Sequence, residues 1–311
     1  MHKNKLFRVF LKVLIVLFSY GYIYYKFKST SIDWHIFDNV NFRYLLLAIL
    51  LMPLNWIFES YKWRFLLQDI QQINMRTSIR GILIGITSGM ATPNRVGEYV
   101  GRTFVLEKGN RVKGSLATML GSLSQVLITL ILGMFAWLIL FEEIRFFDNL
   151  HYRPIFMAFL FVLMFFMLLI FYNLQWIRRL AHWLSINQKY IDQIRFMNKF
   201  RAPELSYVLF LSFFRYVIFA SQYVLLLWAF GVDIVLLKTL AAIALSYLII
   251  VFIPHFSITE LGVRGSVAVL IFQNFTQDLH LVAMAAGLLW LINISIPTVM
   301  GSIFLMSSKI K

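Results

Sequence analysis

The chain has 311 residues, 60% of them hydrophobic and only 14% charged, with a mean hydropathy of +0.76. A soluble domain carries about a quarter charged residues, so this composition excludes an ordinary soluble globule and points to an integral membrane protein. The net charge of +15 reads as the positive-inside bias of membrane proteins rather than as a nucleic-acid surface, and the lack of cysteine excludes a disulfide framework and thiolate chemistry.

The N-terminal stretch MHKNKLFRVFLKVLIVLFSYGYIYYKF joins a basic start to an apolar core. No small-residue cleavage site follows it, so it is predicted to be a retained first helix, not a cleaved signal. No alternation of a membrane barrel appears, so helices are the spanning elements. Six runs are long enough to cross a bilayer: 8–27, 44–66, 114–141, 154–172, 205–230 and 281–306. Each meets the requirement of about 20 mostly apolar residues.

Two further apolar runs, 77–92 and 238–253, are too short to span comfortably, and each ends at a proline, Pro93 or Pro254. After each proline comes another short apolar run, 96–106 and 261–275. Proline lacks an N–H and clashes with the preceding turn. The pattern therefore predicts two re-entrant hairpins of broken half-helices. Between 173 and 203, aromatic residues such as Trp176 and Trp183 are mixed with basic ones. That segment fits either an amphipathic helix on the anionic inner leaflet or an ordinary positive-inside loop.

Charge asymmetry supports this topology. With the N-terminus in the cytoplasm and both hairpins returning to their side of entry, nineteen Lys and Arg fall inside and six outside. Four remain at membrane depth: Arg95, Arg102, Arg215 and Arg264. Both termini are then cytoplasmic, as expected for a multi-pass protein of a cell inner membrane. The first hairpin enters from the cytoplasm and the second from outside. Residues 44–141 and 204–306 thus read as inverted repeats of one single-domain all-α bundle, joined by 173–203.

Both hairpins carry Glu-x-x-x-Arg after the proline: Glu98 and Arg102, then Glu260 and Arg264. Thr92–Pro93 is a helix-start signal, and Ser257 to Glu260 is a capping-box pattern. Half-helix N-termini inside the protein, with Arg95, Arg102 and Arg264 nearby, would attract an anion, phosphate above all. The competing reading is structural: Glu before Arg at i, i+4 is the favourable order for an intrahelical ion pair, which would make the arginines tolerable at depth. His255, beside Pro254, is a candidate proton carrier or a hydrogen-bonded structural residue. Asn55, Glu59, Gln125, Arg215, Gln222 and Asn293 are further polar groups at depth, and Glu59 and Arg215 are placed to partner across the bundle. The candidate substrate-binding set is Arg95, Glu98, Arg102, His255, Glu260 and Arg264; no cofactor and no metal are expected.

On TPNRVGEYVGR and LGVRG, the chain resembles the transmembrane region of lysylphosphatidylglycerol synthases, the flippase-like part of the multiple peptide resistance factor. The resemblance covers about residues 8–306. Relatives commonly carry a glutamate after the second-motif arginine, where this chain has Gly265. The sequence ends at Lys311, without the soluble aminoacyl-transfer domain, so synthase activity is not implied. The resemblance implies a membrane protein that moves or handles a lipid, an anionic phospholipid or a polyprenyl phosphate; an enzyme acting on lipid phosphates is not expected, because no histidine-rich phosphatase constellation, metal-ligand cluster or Asp-rich nucleotide-sugar motif appears. A non-transporting partner of a lipid-linked glycosyltransferase or lipid synthase is the alternative. Nucleic acid is not an expected partner.

Overall fold

A computed structural model describes residues 40–144, 152–183, 188, 193–254 and 257–307. The expected first span, 8–27, and His255 lie outside the described residues. The rest is all-α. In chain order the helices are α1 (Phe42–Leu67), α2 (Met75–Met90), the short α3 (Gly97–Gly101), α4 (Arg111–Ile139), α5 (Tyr152–Tyr172), α6 (Gln175–Trp183), α7 (Ala202–Ala229), α8 (Leu236–Phe252), α9 (Ser257–Phe272), α10 (Leu279–Trp290) and α11 (Ile296–Ser307). A π-helical turn, Leu291–Ser295, joins α10 to α11 as one rod. It sits just before Pro297, which has no N–H for the ladder.

Among the described residues, four helical stretches are long and apolar enough to cross a membrane: Phe42–Leu67, Lys108–Ile139, Ala202–Ala229 and Leu279–Ser307. Their starts follow local rules. The Asn41 side chain accepts from the Arg43 N–H at 3.1 Å, and Asn74 does the same for Thr77 at 2.8 Å. At α7 the Glu204 carboxylate accepts from the Arg201 N–H at 3.0 Å, one half of a capping box.

Three antiparallel pairings organise the bundle. Along α1 and α7, the Asn41 N–H reaches the carbonyl of Ala229 at 2.9 Å, while Phe65 meets Tyr207 at the other end. Along α2 and α11, Arg80 lies over Phe304, and the Thr87 hydroxyl donates to the Thr298 carbonyl at 3.0 Å. Along α4 and α8, Gly133 faces Leu248, and at the other end Lys238 in the first turn of α8 pairs with Glu143, just past the end of α4, at 2.9 Å. The first helix of residues 44–141 therefore packs on the first helix of 204–306. The leading arm of each hairpin packs on the last helix of the other half.

The two hairpins differ from each other. In the second, α8 and α9 are full half-helices on either side of Pro254. In the first, the returning run 96–106 is not one half-helix. It is a 3-10 turn at Pro93–Arg95, the five-residue α3, and a second 3-10 turn at Arg102–Val105. Asn94 and Arg95 have φ of 46° and 56°, so the helix cannot start at Pro93 as the sequence predicts. It starts at Gly97, whose N–H is held by the Thr92 hydroxyl at 2.7 Å. Gly97 and Gly101 make the crossing with α2 possible: a Cβ would come within 2.2 Å of the Ser88 carbonyl oxygen and 2.4 Å of its hydroxyl, respectively.

Among the described residues, hydrophobic burial falls mainly into two cores, beside a small cluster of Met90, Trp290 and Ile294. One gathers Ala48, Met52, Ala136, Leu226, Leu245 and Phe272 with their neighbours; the other gathers Trp63, Leu66, Leu120, Phe171, Phe196 and Leu205. Burial of such side chains contributes about 1.5–3 kcal/mol each. Between the two cores, α1 presents Asn55, Glu59 and Lys62, and α7 presents Ser212 and Arg215, so a polar layer separates them. Trp183 on α6 is 78% exposed, whereas Phe196, Met197 and Phe200 sink into the second core.

Candidate functional site

The polar layer is built around Glu59. It stands one turn past the middle of α1, with one oxygen on Arg102 Nη1 at 2.5 Å and the other on Arg215 Nη1 at 2.7 Å. Lys62, three residues on, reaches the same carboxylate at 2.9 Å. The sequence places Lys62 among the cytoplasmic charges. The structure corrects this: Lys62 is buried, and its ammonium also donates to the Gly121 carbonyl at 3.0 Å and the Ser212 hydroxyl at 3.2 Å. All three N–H bonds of the ammonium thus have an acceptor, which is the condition for tolerating a buried lysine. The expected Glu59–Arg215 partnership is present.

The repeated motif supplies the next links. Glu98 binds Arg102 within α3 and its flanking turn, and it binds Arg95 at 3.2 Å. In the second hairpin Glu260 holds Arg264 at 3.0 Å. Both glutamates thus form the i, i+4 pair that their spacing suggests. The sequence does not show that Glu260 also faces Arg95 at 4.0 Å. The two hairpins meet there, tip to tip. Five of the six candidate residues therefore join one network, running Arg264, Glu260, Arg95, Glu98, Arg102, Glu59 and on to Lys62 and Arg215.

The left-handed backbone at Asn94 and Arg95 explains the contact. Two successive non-glycine residues at positive φ cost about 1–3 kcal/mol each, and such strain collects at functional sites. Here the reversal lets Arg95 bridge Glu98 of its own hairpin and Glu260 of the other.

A cavity of about 370 Å³ opens onto the network. Arg95, Arg215 and Arg264 line it with side chains 20–27% exposed. Arg102 lines it too but is 3% exposed and clasped between two carboxylates. Arg102 is therefore mainly a structural cation, and Arg215, which sequence reasoning treats only as a partner for Glu59, stands with the accessible ones. Its guanidinium lies 5.4 Å from the Phe219 ring, which steadies its plane.

The neutral polar groups at depth form a chain of their own. Arg215 Nε donates to Asn55 at 2.6 Å, Asn55 to Asn293 at 3.4 Å, and Asn293 to Gln222 at 3.1 Å. Asn293 sits inside the π turn, so the irregular helix carries this link.

The helix ends play a smaller part than the motifs suggest. A helix of five residues, such as α3, sums little dipole, and Glu98 lies in its first turn. At α9 the first turn contains Glu260. The positive charge facing this cavity therefore comes from the guanidinium groups, whose paired N–H donors have a geometry that matches phosphate.

The comparisons agree with the architecture. No curated protein matches the chain. The family model for the lysylphosphatidylglycerol synthase TM region matches residues 9–301, nearly the whole length. A membrane bundle of long apolar helices and broken hairpins, matched along nearly all of its sequence, thus belongs to the lysylphosphatidylglycerol synthase transmembrane-region family.

Proposed function

We propose that the protein binds the phosphate headgroup of an anionic lipid in the chamber between the hairpins and moves that lipid between leaflets. The observation that carries this reading is the convergence of Arg95, Arg215 and Arg264, from both halves of the chain, on one cavity at mid-bundle. An arginine at this depth costs about 2.5–3.5 kcal/mol or more, and one carboxylate partner each would suffice for tolerance. Three that retain access to a shared cavity offer a ligand more than the fold needs. The antiparallel exchange of arms between residues 44–141 and 204–306 supports reading them as inverted halves that open in turn. In this reading both termini face the cytoplasm of a cell whose inner membrane holds the protein, and no bond is made or broken.

The test is reconstitution into liposomes carrying labelled phosphatidylglycerol, phosphatidic acid or phosphatidylcholine, with leaflet exchange measured by dithionite quenching. Movement of the anionic lipids above phosphatidylcholine, lost in Arg95→Gln together with Arg264→Gln, is the expected result. Equal movement of all lipids, unchanged in the variant, would end the proposal. The exposed Trp176 and Trp183 on α6 favour one alternative, a non-transporting partner of a lipid-linked glycosyltransferase or lipid synthase. That reading expects anionic-lipid binding without leaflet exchange.

A further inference from the structure

The charges of the network do not balance. Lys62, Arg95, Arg102, Arg215 and Arg264 share the carboxylates of Glu59, Glu98 and Glu260. Five cations against three anions leave the described cluster at +2. In a membrane interior such an excess costs several kcal/mol per charge unless an anion enters.

Hydrogen-bond donors are also in excess. The hydroxyls of Tyr216 and Tyr247, both on the cavity wall, are buried without a partner among the described residues. Tyr216 is only 7% exposed, and the two rings meet edge to face at 5.9 Å. Arg102 Nε is likewise buried and unpaired. A buried donor left unmade costs about 1–3 kcal/mol, so the two tyrosine hydroxyls beside this cavity favour an acceptor-rich guest. Gln125 Oε1, unpaired on the same wall, offers an acceptor for a hydroxyl of that guest.

We infer that the chamber selects a phosphate group bearing two negative charges, a phosphate monoester or a diphosphate, over a singly charged phosphodiester. This rests on the lipid-binding reading above and narrows it. A dianion cancels the +2 excess and brings several acceptor oxygens to the tyrosine and arginine donors. A phosphodiester cancels half of the charge. A phosphate monoester carries about −1.5 to −2 at neutral pH, so pH 8 makes the comparison clean.

The experiment uses the full chain in phosphatidylcholine nanodiscs at pH 8, doped with phosphatidic acid, a monoester, or phosphatidylglycerol, a diester. Binding is read from the shift in thermal unfolding as each lipid is titrated. Phosphatidic acid is expected to bind at least tenfold more tightly than phosphatidylglycerol. Equal affinities, both above phosphatidylcholine, would overturn the dianion preference and leave anionic-lipid binding standing. No binding of either would overturn both. Soluble glycerol 1-phosphate is added as a competitor. Displacement at millimolar concentration keeps the dianion site and makes a soluble ester its source, whereas lack of displacement assigns it to lipid.

Two variants guard against a trivial result. Tyr216→Phe with Tyr247→Phe removes hydroxyls that have no partner among the described residues, so the unliganded melting temperature should stay within about 2 °C while the preference falls severalfold. Arg215→Gln lowers the excess to +1 and leaves Glu59 with Lys62 and Arg102, so the preference should approach unity. An unchanged tenfold ratio in both variants would refute the inference.

Discussion

The two hairpin tips use one sequence pattern in opposite ways. At the first, Arg102 is 3% exposed and bound by two carboxylates, and Gly97 and Gly101 are pressed against Ser88. At the second, Arg264 is 27% exposed with Glu260 as its carboxylate, and a Cβ on Gly262 or Gly265 would meet nothing within 4 Å. A repeated Glu-x-x-x-Arg is thus a clamp where the helices are tightly crossed and an available cation where they are not. Local spacing fixes the ion pair in both copies, and packing decides what else the arginine can do.

The comparison breaks first at the clamp. Glu59→Gln leaves Lys62, Arg102 and Arg215 around a neutral amide. Removing the carboxylate from such a buried cluster should cost about 3–5 kcal/mol, read as loss of monodisperse protein or a large drop in melting temperature. Arg102→Met should also destabilise, by about 2–4 kcal/mol, because Glu98 and Glu59 each lose a partner. A melting temperature unchanged by Arg102→Met would show that the clamp is not what holds the first hairpin.

Next comes the glycine crossing. Gly101→Val must displace the Ser88 side chain and the α2 backbone near Gly85, an overpacking worth about 1–3 kcal/mol. At the open tip, Arg264→Gln leaves the buried Glu260 with Arg95 at 4.0 Å, so it should cost about 1–3 kcal/mol, and it should sharply reduce the lipid movement proposed here. The smallest effect is expected at Gly262→Ala and Gly265→Glu. The alanine should be neutral or stabilising by up to about 1 kcal/mol in a helix with free space. The glutamate has room as well, and purification with a melting curve will show whether it folds as the parent does. Strong destabilisation by Gly262→Ala would mean that the second tip is as closely packed as the first.

Much of this was readable from residues alone, for reasons that also mark the limits. Apolar run length located α1, α4, α7 and the α10–α11 rod, because lipid demands length and hydropathy together. Pro93 and Pro254 located the breaks, because proline acts locally. Glu98–Arg102 and Glu260–Arg264 followed from helical spacing. Lys62 did not, since a lysine near a helix end reads as a flank, and only the Gly121 carbonyl and Ser212 across the bundle reveal it as buried. The left-handed turn at Asn94 and Arg95 was hidden because a threonine–proline start normally leads straight into a helix; here the close approach of α2 postpones it to Gly97. Tyr216 and Tyr247 belong to no motif, and the lack of a partner for their hydroxyls among the described residues is a property of their neighbours.

The tip-to-tip contact between Arg95 and Glu260 has a bearing on motion. At 4.0 Å it is the longest of the ion pairs in the network, and each member has a second companion, Glu98 for Arg95 and Arg264 for Glu260. If the halves part, neither residue is stranded: each keeps its companion within its own hairpin. The seam can thus separate and close again without carrying a bare charge through a low-dielectric interior, and a phosphate arriving between the tips would replace one carboxylate at Arg95 by another anion. Partner exchange of this kind makes the junction a reversible fastening, loose enough to undo and specific enough to reform in the same register.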